Sequence, residues 1–288
     1  MNGAIVMLEN IISYVISSFK IFSIQLLILF VPFFGLAFII NILSSSIEKV
    51  CKNSIFSRVF YITQAPGTIL HEVAHAFFVV IFGYQITEFV PFVLNPQKFA
   101  GRVNYAMSEE DVEAPWYHFS LFIIGVAPIL FGSFAVIVLT FFCFTQEVNT
   151  SISIIPKPLD ICSLSSFGEY FYTIFSNALK MFSTIFFSVK FFNPLTWIYL
   201  LLVYSIGSSI TLSNEDCSAG AILGFIELLL GLACINLFLC WWGGNWINFS
   251  LYITKYNHIV YSLLLIVIFI QCFILAICTI ITIATARK

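Results

Sequence analysis

An all-α protein with several membrane-crossing helices is the fold class that three observations predict. Hydrophobic residues make up 60% of the 288-residue chain and charged residues only 9%, against about 45–50% and about 25% in soluble domains. Apolar runs of roughly 20 residues or more recur along the sequence, the length a helix needs to cross a hydrocarbon core about 30 Å thick. Only 12 Lys+Arg and 14 Asp+Glu are available to cover a surface, too few to keep a soluble globule monomeric. A soluble enzyme, a secreted module and a disordered chain are poor descriptions of such a sequence. The expected setting is a cell membrane crossed several times, with the lipid bilayer as the main partner. There is no basic stripe and no zinc-finger spacing, so no nucleic-acid partner is expected. The eight cysteines contain no C-x-x-C pair. Cys143, Cys234, Cys240, Cys272 and Cys278 lie in apolar runs, where a thiol behaves as a small hydrophobe, and no disulfide framework is implied.

Taken in order, the first crossing is expected over about 21–44, because no charge occurs from 21 to 47, and Pro32 is placed to bend it. The mixed stretch before it reads as interfacial. It carries Glu9 instead of a basic leader region and reads as mature chain. A short basic link with Lys49, Lys52 and Arg58 follows. The second crossing, about 60–83, holds His71, Glu72 and His75. Residues 84–117 change character, with Glu109, Glu110, Asp111 and Glu113 clustered among prolines and glycines. The third crossing is about 118–145, and a Ser-rich linker covers 146–170. The aromatic run 171–192 contains Lys180 and Lys190 and reads as an interfacial helix. The remaining crossings are about 194–213, 219–240 and 258–284, with Trp241, Trp242 and Trp246 forming an aromatic belt after the fifth. Six crossings result. They divide into an N-terminal helix and link (1–58), a core (59–225) and C-terminal helices (219–288). Counting Lys and Arg by loop mildly favours an external N-terminus.

The segment His71-Glu72-Val73-Ala74-His75 concentrates the chemistry. Residues four apart on a helix lie one turn above each other on one face, so the two imidazoles can grip one ion. Glu72 sits about 100° around the helix, within reach of a water beside that ion as a general base. Ionisable groups inside a membrane span are rare and usually functional. A catalytic zinc takes three protein ligands and keeps one position open. The chain has three aspartates to choose from. Asp111 belongs to the acidic loop and Asp160 to the polar linker. Asp216 lies between the fourth and fifth crossings, on the side where the second crossing ends. The segment 212–220, rich in Ser, Asn and Gly, reads as a break between two half-helices that dips toward the histidines. Asp216 is also a candidate N-cap for the fifth helix, and the adjacent Glu215 is a rival ligand. His118 and His258, at the starts of crossings, read as interfacial or capping residues.

The segment HEVAHAFFVVIFGYQI resembles the first core helix of the site-2-protease type of intramembrane zinc metallopeptidase. The following GYQITEFVPFVLNPQKFAGRVNYAMS is similar to that family's β-like stretch, with Gly83 ending the helix and Gly101-Arg102-Val103 in a second strand-like piece. Gly125-Val126-Ala127-Pro128 fits the small residues and proline that open the family's next helix. The family's Asn-Pro-Asp-Gly-like third-ligand element is not kept. This chain has Leu212-Ser213-Asn214-Glu215-Asp216, with Gly220 further on. The resemblance covers about 60–225. It implies Zn²⁺ held by His71, His75 and Asp216, with Glu72 as the catalytic base. Gly101 and Val103 are candidate substrate contacts, since a strand edge there could pair with an unwound peptide, and Asn214, with Ser213, is a candidate contact for the oxyanion or the substrate carbonyls. The implied substrate is a membrane protein or membrane-tethered peptide. Zinc bound from the cytosolic side would put the N-terminus inside. Two alternatives have different chemistry. One is a CAAX-protease or heat-shock type of membrane metallopeptidase, with Glu227 or Glu215 as third ligand. The other is a transporter or scaffold that keeps the histidines without catalysis.

Overall fold

The computed structural model describes residues 2–52, 57–93, 101–151, 164–187, 193–211, 216, 218–242 and 246–286. Helices α1 (Asn2–Gln25) and α2 (Val31–Lys52) form one rod interrupted by a π-helical turn at Leu26–Phe30. Pro32 accounts for the interruption. It has no N–H for the carbonyl four residues earlier, and its ring crowds that carbonyl. The freed Ile28 carbonyl accepts instead from the Tyr261 hydroxyl, which also lies 3.1 Å from the Leu29 carbonyl. Next come α3 (Ser57–Ile81), a two-stranded antiparallel hairpin of β1 (Gln85–Val90) and β2 (Arg102–Ala106), and the single-turn α4 (Glu109–Glu113). The rest is α5 (Tyr117–Ser151), α6 (Leu164–Phe187), α7 (Pro194–Ser208), α8 (Ala219–Trp241) and α9 (Trp246–Ala286).

Among the described residues, four segments are long and apolar enough to cross a bilayer: Met7–Cys51, Tyr117–Gln146, Ala219–Trp241 and Asn257–Ala284. Large apolar side chains such as Phe19, Phe142 and Trp242 point outward, as a lipid-solvated surface requires. The chain is thus a multi-pass membrane bundle of α-helices with one small β-hairpin. The six expected crossings each correspond to a helix, and four of the six meet that length and apolarity. With 15 residues, α7 is shorter than the roughly 20 needed for a crossing. It also runs in the same direction as α8. Thr140 of α5 is hydrogen-bonded to Tyr199 at 3.0 Å. Further back along α5, Gly132 packs on Ile210, Gly125 on the Asp216 backbone, and Gly224 on the His118 carbonyl. As numbers fall along α5 they rise continuously through α7, the Asp216 turn and α8. The two helices follow one another in the same sense along α5, with Asp216 between them.

The run 171–192, expected to be an interfacial helix and not a clean crossing, is described as far as Phe187 within α6, which is not among the segments apolar enough to cross. Helix α6 buries the stripe Tyr170, Ile174, Ala178, Met181 and Ile185 and follows α9 lengthwise. Ser262 donates to the Ile174 carbonyl at 3.2 Å. The Phe182–Phe269 and Phe186–Phe273 rings pair at 5.6 and 5.5 Å. Lys180 sits on the exposed side of α6 and reaches the Thr150 carbonyl at 3.3 Å. Helix α9 also tracks α2 in parallel. Gln271 donates to Ser44 at 3.0 Å, and seven residues on along both helices Cys278 meets Cys51.

The end of α3 shows how local sequence positions the hairpin. Gly83 adopts φ +81°, which a side chain would resist. The Gly83 and Tyr84 N–H groups donate back to the Val80 and Val79 carbonyls, both at 3.0 Å. This is a Schellman cap, closed by contact between Val79 and Tyr84 in a small apolar cluster with Ile124. The cap turns the chain directly into β1, so the hairpin is anchored to the helix that carries the histidines.

Candidate metal centre

His71 and His75 stand one turn apart on α3, with ring centroids 4.8 Å apart. Each ring is held from behind by a main-chain carbonyl. His71 Nδ1 donates to Ser209 O at 2.9 Å and His75 Nδ1 to Ile124 O at 2.8 Å. Both carbonyls are available for reasons written in the sequence. Ser209 is the C-cap of α7, where the last carbonyls have no intrahelical donor. Ile124 lies inside α5, and its ordinary partner would be the N–H of residue 128, which is proline. A carbonyl can only accept, so each Nδ1 carries the proton, and in the neutral ring Nε2 presents a lone pair. The two Nε2 atoms face each other at 3.2 Å.

Asp216 completes the group. Its Oδ1 lies 3.4 Å from His75 Nε2, and one ligand atom from each of the three residues falls within 4.8 Å of the others. The break between α7 and α8 delivers it, and Gly125 makes room. A Cβ at 125 would stand 2.7 Å from the Asp216 carbonyl oxygen. Asp216 is not the N-cap of α8, because Ser218 takes that role, with Oγ accepting from Ala221 N at 3.2 Å. Two lone pairs and a carboxylate oxygen facing one point call for a cation between them. The second anchors on both Nδ1 atoms are the usual device for fixing ligating histidines. The residues therefore fit a metal ion, and His71, His75 and Asp216 are those able to hold it.

Glu72 is buried, with 7% of its surface exposed. It lies against the start of β2, where a Cβ on Gly101 would collide with the Glu72 Cγ. Two cavities meet at Glu72 and His71. One, of about 450 Å³, is bordered by His75, Asp216, Gly101 and consecutive residues of β2, including Val103. Gly101 and the four successive β2 residues Arg102–Tyr105 line it, so neighbours that point to opposite faces of the strand both border the cavity. The other, of about 340 Å³, runs along α2 past Asn41, Ser44, Ser45 and Glu48, with Gln64 and Thr68 opposite. Gln64 links this wall to α7 through Tyr204 at 2.8 Å and through Ser208.

Five sequence candidates, Glu72, His71, His75, Asp216 and Gly101, thus converge, and Val103 joins them on the cavity wall. Asn214, Glu215, Ser213 and Asp160 lie outside the described residues. Glu227 is placed elsewhere. It is paired with His118 at 2.8 Å, seven residues along α5 from Gly125, which is about 10 Å of helix. Asp111 closes a capping box with Ser108 on α4. Sequence reading missed Ser209 and Ile124, which act through backbone atoms, although Pro128 inside an apolar helix was a signal for the latter. It also missed the polar stripe Asn41, Ser44, Ser45, Glu48, whose helical spacing was there to be read. Comparisons with protein-family models, with curated proteins and with solved structures find no match.

Proposed function

We propose that this chain is an intramembrane zinc metallopeptidase of the site-2-protease type. Its substrates are membrane proteins or membrane-tethered peptides. The observation that carries the reading is the convergence of two carbonyl-anchored imidazoles and one carboxylate, His71, His75 and Asp216, beside the buried Glu72. Two imidazoles and one carboxylate form a donor set suited to catalytic zinc, which leaves a fourth position for water. Zinc supplies Lewis acidity there, bringing the pKa of water toward about 7 and polarising a carbonyl. Glu72 accepts the proton of the attacking water on a carboxylate oxygen and delivers it to the leaving amide nitrogen. A mere binding site has no need of such a group beside its ligands. The β2 edge at Gly101 and Val103 receives the scissile segment in extended form, giving main-chain hydrogen bonds to a substrate that has left its helix. Glu227, engaged with His118, does not serve as third ligand, which disfavours the CAAX-protease arrangement built on that residue.

The test compares purified wild type, E72A and D216A in detergent for zinc content and for cleavage of a model transmembrane peptide. Retained zinc with lost cleavage in E72A and lost zinc in D216A are the expected results. Full zinc content in D216A would remove Asp216 from the site, and cleavage that survives a chelator would overturn the class.

A further inference from the structure

Cys51, near the end of α2, and Cys278, near the end of α9, face each other with Sγ atoms 3.4 Å apart. The contact belongs to a repeating seam. Ser44 and Gln271 are hydrogen-bonded two turns earlier, and both helices advance seven residues to the thiols, so parallel packing sets the sulfurs opposite each other. Ile47 is fully buried between these two contacts, which holds the helices together there. Cys51 is buried, while Cys278 is half-buried and six residues from the end of the apolar segment Asn257–Ala284. We propose that Cys51 and Cys278 form a reversible dithiol–disulfide pair that staples α2 to α9.

The oxidant is a small-molecule disulfide. The Cys278 thiolate attacks one of its sulfurs, forming a mixed disulfide and releasing one thiolate. The Cys51 thiolate then attacks Cys278 Sγ and expels the second. Two protein thiols are oxidised and one reagent disulfide is reduced to two thiols, which take up the two protons the cysteines lose. The two sulfurs are already in contact at 3.4 Å and close to about 2.05 Å when the bond forms. Cys51 lies one turn beyond Glu48, on the helix whose polar face walls the smaller cavity beside His71 and Glu72. The staple adds a covalent tie to the Ser44–Gln271 contact, which already holds that wall to α9 in the dithiol form. The proposal does not depend on the metallopeptidase reading.

The experiment treats wild type, C51S and C278S in native membranes with oxidised glutathione. Free thiols are then labelled with a maleimide under denaturing conditions, and labelled peptides are identified by mass spectrometry. Oxidised wild type is expected to lose label at residues 51 and 278 together and to regain it with dithiothreitol. C51S is expected to stop at glutathionylated Cys278. In wild type, cleavage at a protease site inserted within 152–163 should leave the two fragments joined on a non-reducing gel, which needs no cysteine variant. Full labelling of Cys51 after oxidation, or fragments that separate without reductant, would overturn the proposal.

Discussion

Two polar groupings are buried among apolar helices, and they are satisfied in opposite ways. Between α1 and α8, Gln25 and Asn236 exchange hydrogen bonds, Asn236 Nδ2 donating at 2.7 Å and Gln25 Nε2 at 3.3 Å. Each amide offers a donor and an acceptor, so the pair closes on itself and needs nothing further. At the metal centre the only protons the two imidazoles carry are turned away, toward Ser209 O and Ile124 O. What faces inward is accepting. A self-complementary polar pair between membrane helices is glue, whereas a grouping whose donors have been drawn off to the backbone is one able to hold a cation. The distinction lies in how each group's protons are directed, not in how polar or how buried it is.

That contrast can be broken at several strengths. The largest expected effect is at Glu72. E72Q keeps shape and removes the base, so cleavage of a transmembrane peptide should fall on the order of 10²–10⁴-fold with zinc content unchanged. Q25L should leave kcat intact. A zinc loss in E72Q as large as in D216A would mean that Glu72 is a ligand instead. Metal removal comes next. Dialysis against a chelator should lower the melting temperature, with re-added zinc restoring it. Ligand at about 1,000 times its Kd stabilises by about 4 kcal/mol. The amide pair should be indifferent to chelator, and equal sensitivity in both regions would dissolve the comparison.

The third effect isolates a backbone atom. In P128A the new N–H reclaims the Ile124 carbonyl, and His75 Nδ1 loses its acceptor. Outer-partner losses of this kind weaken metal affinity by about 10–100-fold, which zinc competition titration would measure. Unaltered affinity would show that the anchor does not matter. The smallest effect belongs to the glue. Q25L or N236L alone should destabilise by about 0.6–1.7 kcal/mol, the range for interhelical hydrogen bonds in membranes. The double variant should recover part of that loss, because neither amide is then left unpaired. A double-mutant cycle in detergent denaturation checks it, and simple additivity would mean the pair is uncoupled.

The metal centre was legible where side chains do the chemistry. His71, Glu72 and His75 announce themselves by helical spacing, and Asp216 by the scarcity of aspartates. The hairpin was legible from Gly83 and the strand-like run after it. What the sequence hid were contributions made by carbonyls, since Ile124 and Ser209 have side chains that say nothing about a metal. Proline is the recoverable signal. Pro32 and Pro128 each release the carbonyl four residues earlier, and each released carbonyl has found a side-chain donor, Tyr261 in one case and His75 in the other. Direction was hidden as well. Hydropathy measures the length of an apolar run and is blind to its sense, so it does not tell that α7 and α8 run the same way along α5. The buried stripe of α6 was hidden for a related reason, because Lys180 on its exposed side says nothing of the residues packed on the other.

The parallel course of α2 and α9 decides more than packing. Two helices that cross a bilayer in the same sense deliver their C-terminal ends to the same compartment. Lys52 and Ala286 therefore open onto one face, and the start of α1 onto the other. A glycosylation acceptor or a fluorescent reporter placed ahead of Asn2 and another placed after Ala286 should accordingly answer from opposite compartments, where an even number of crossings would have made them agree.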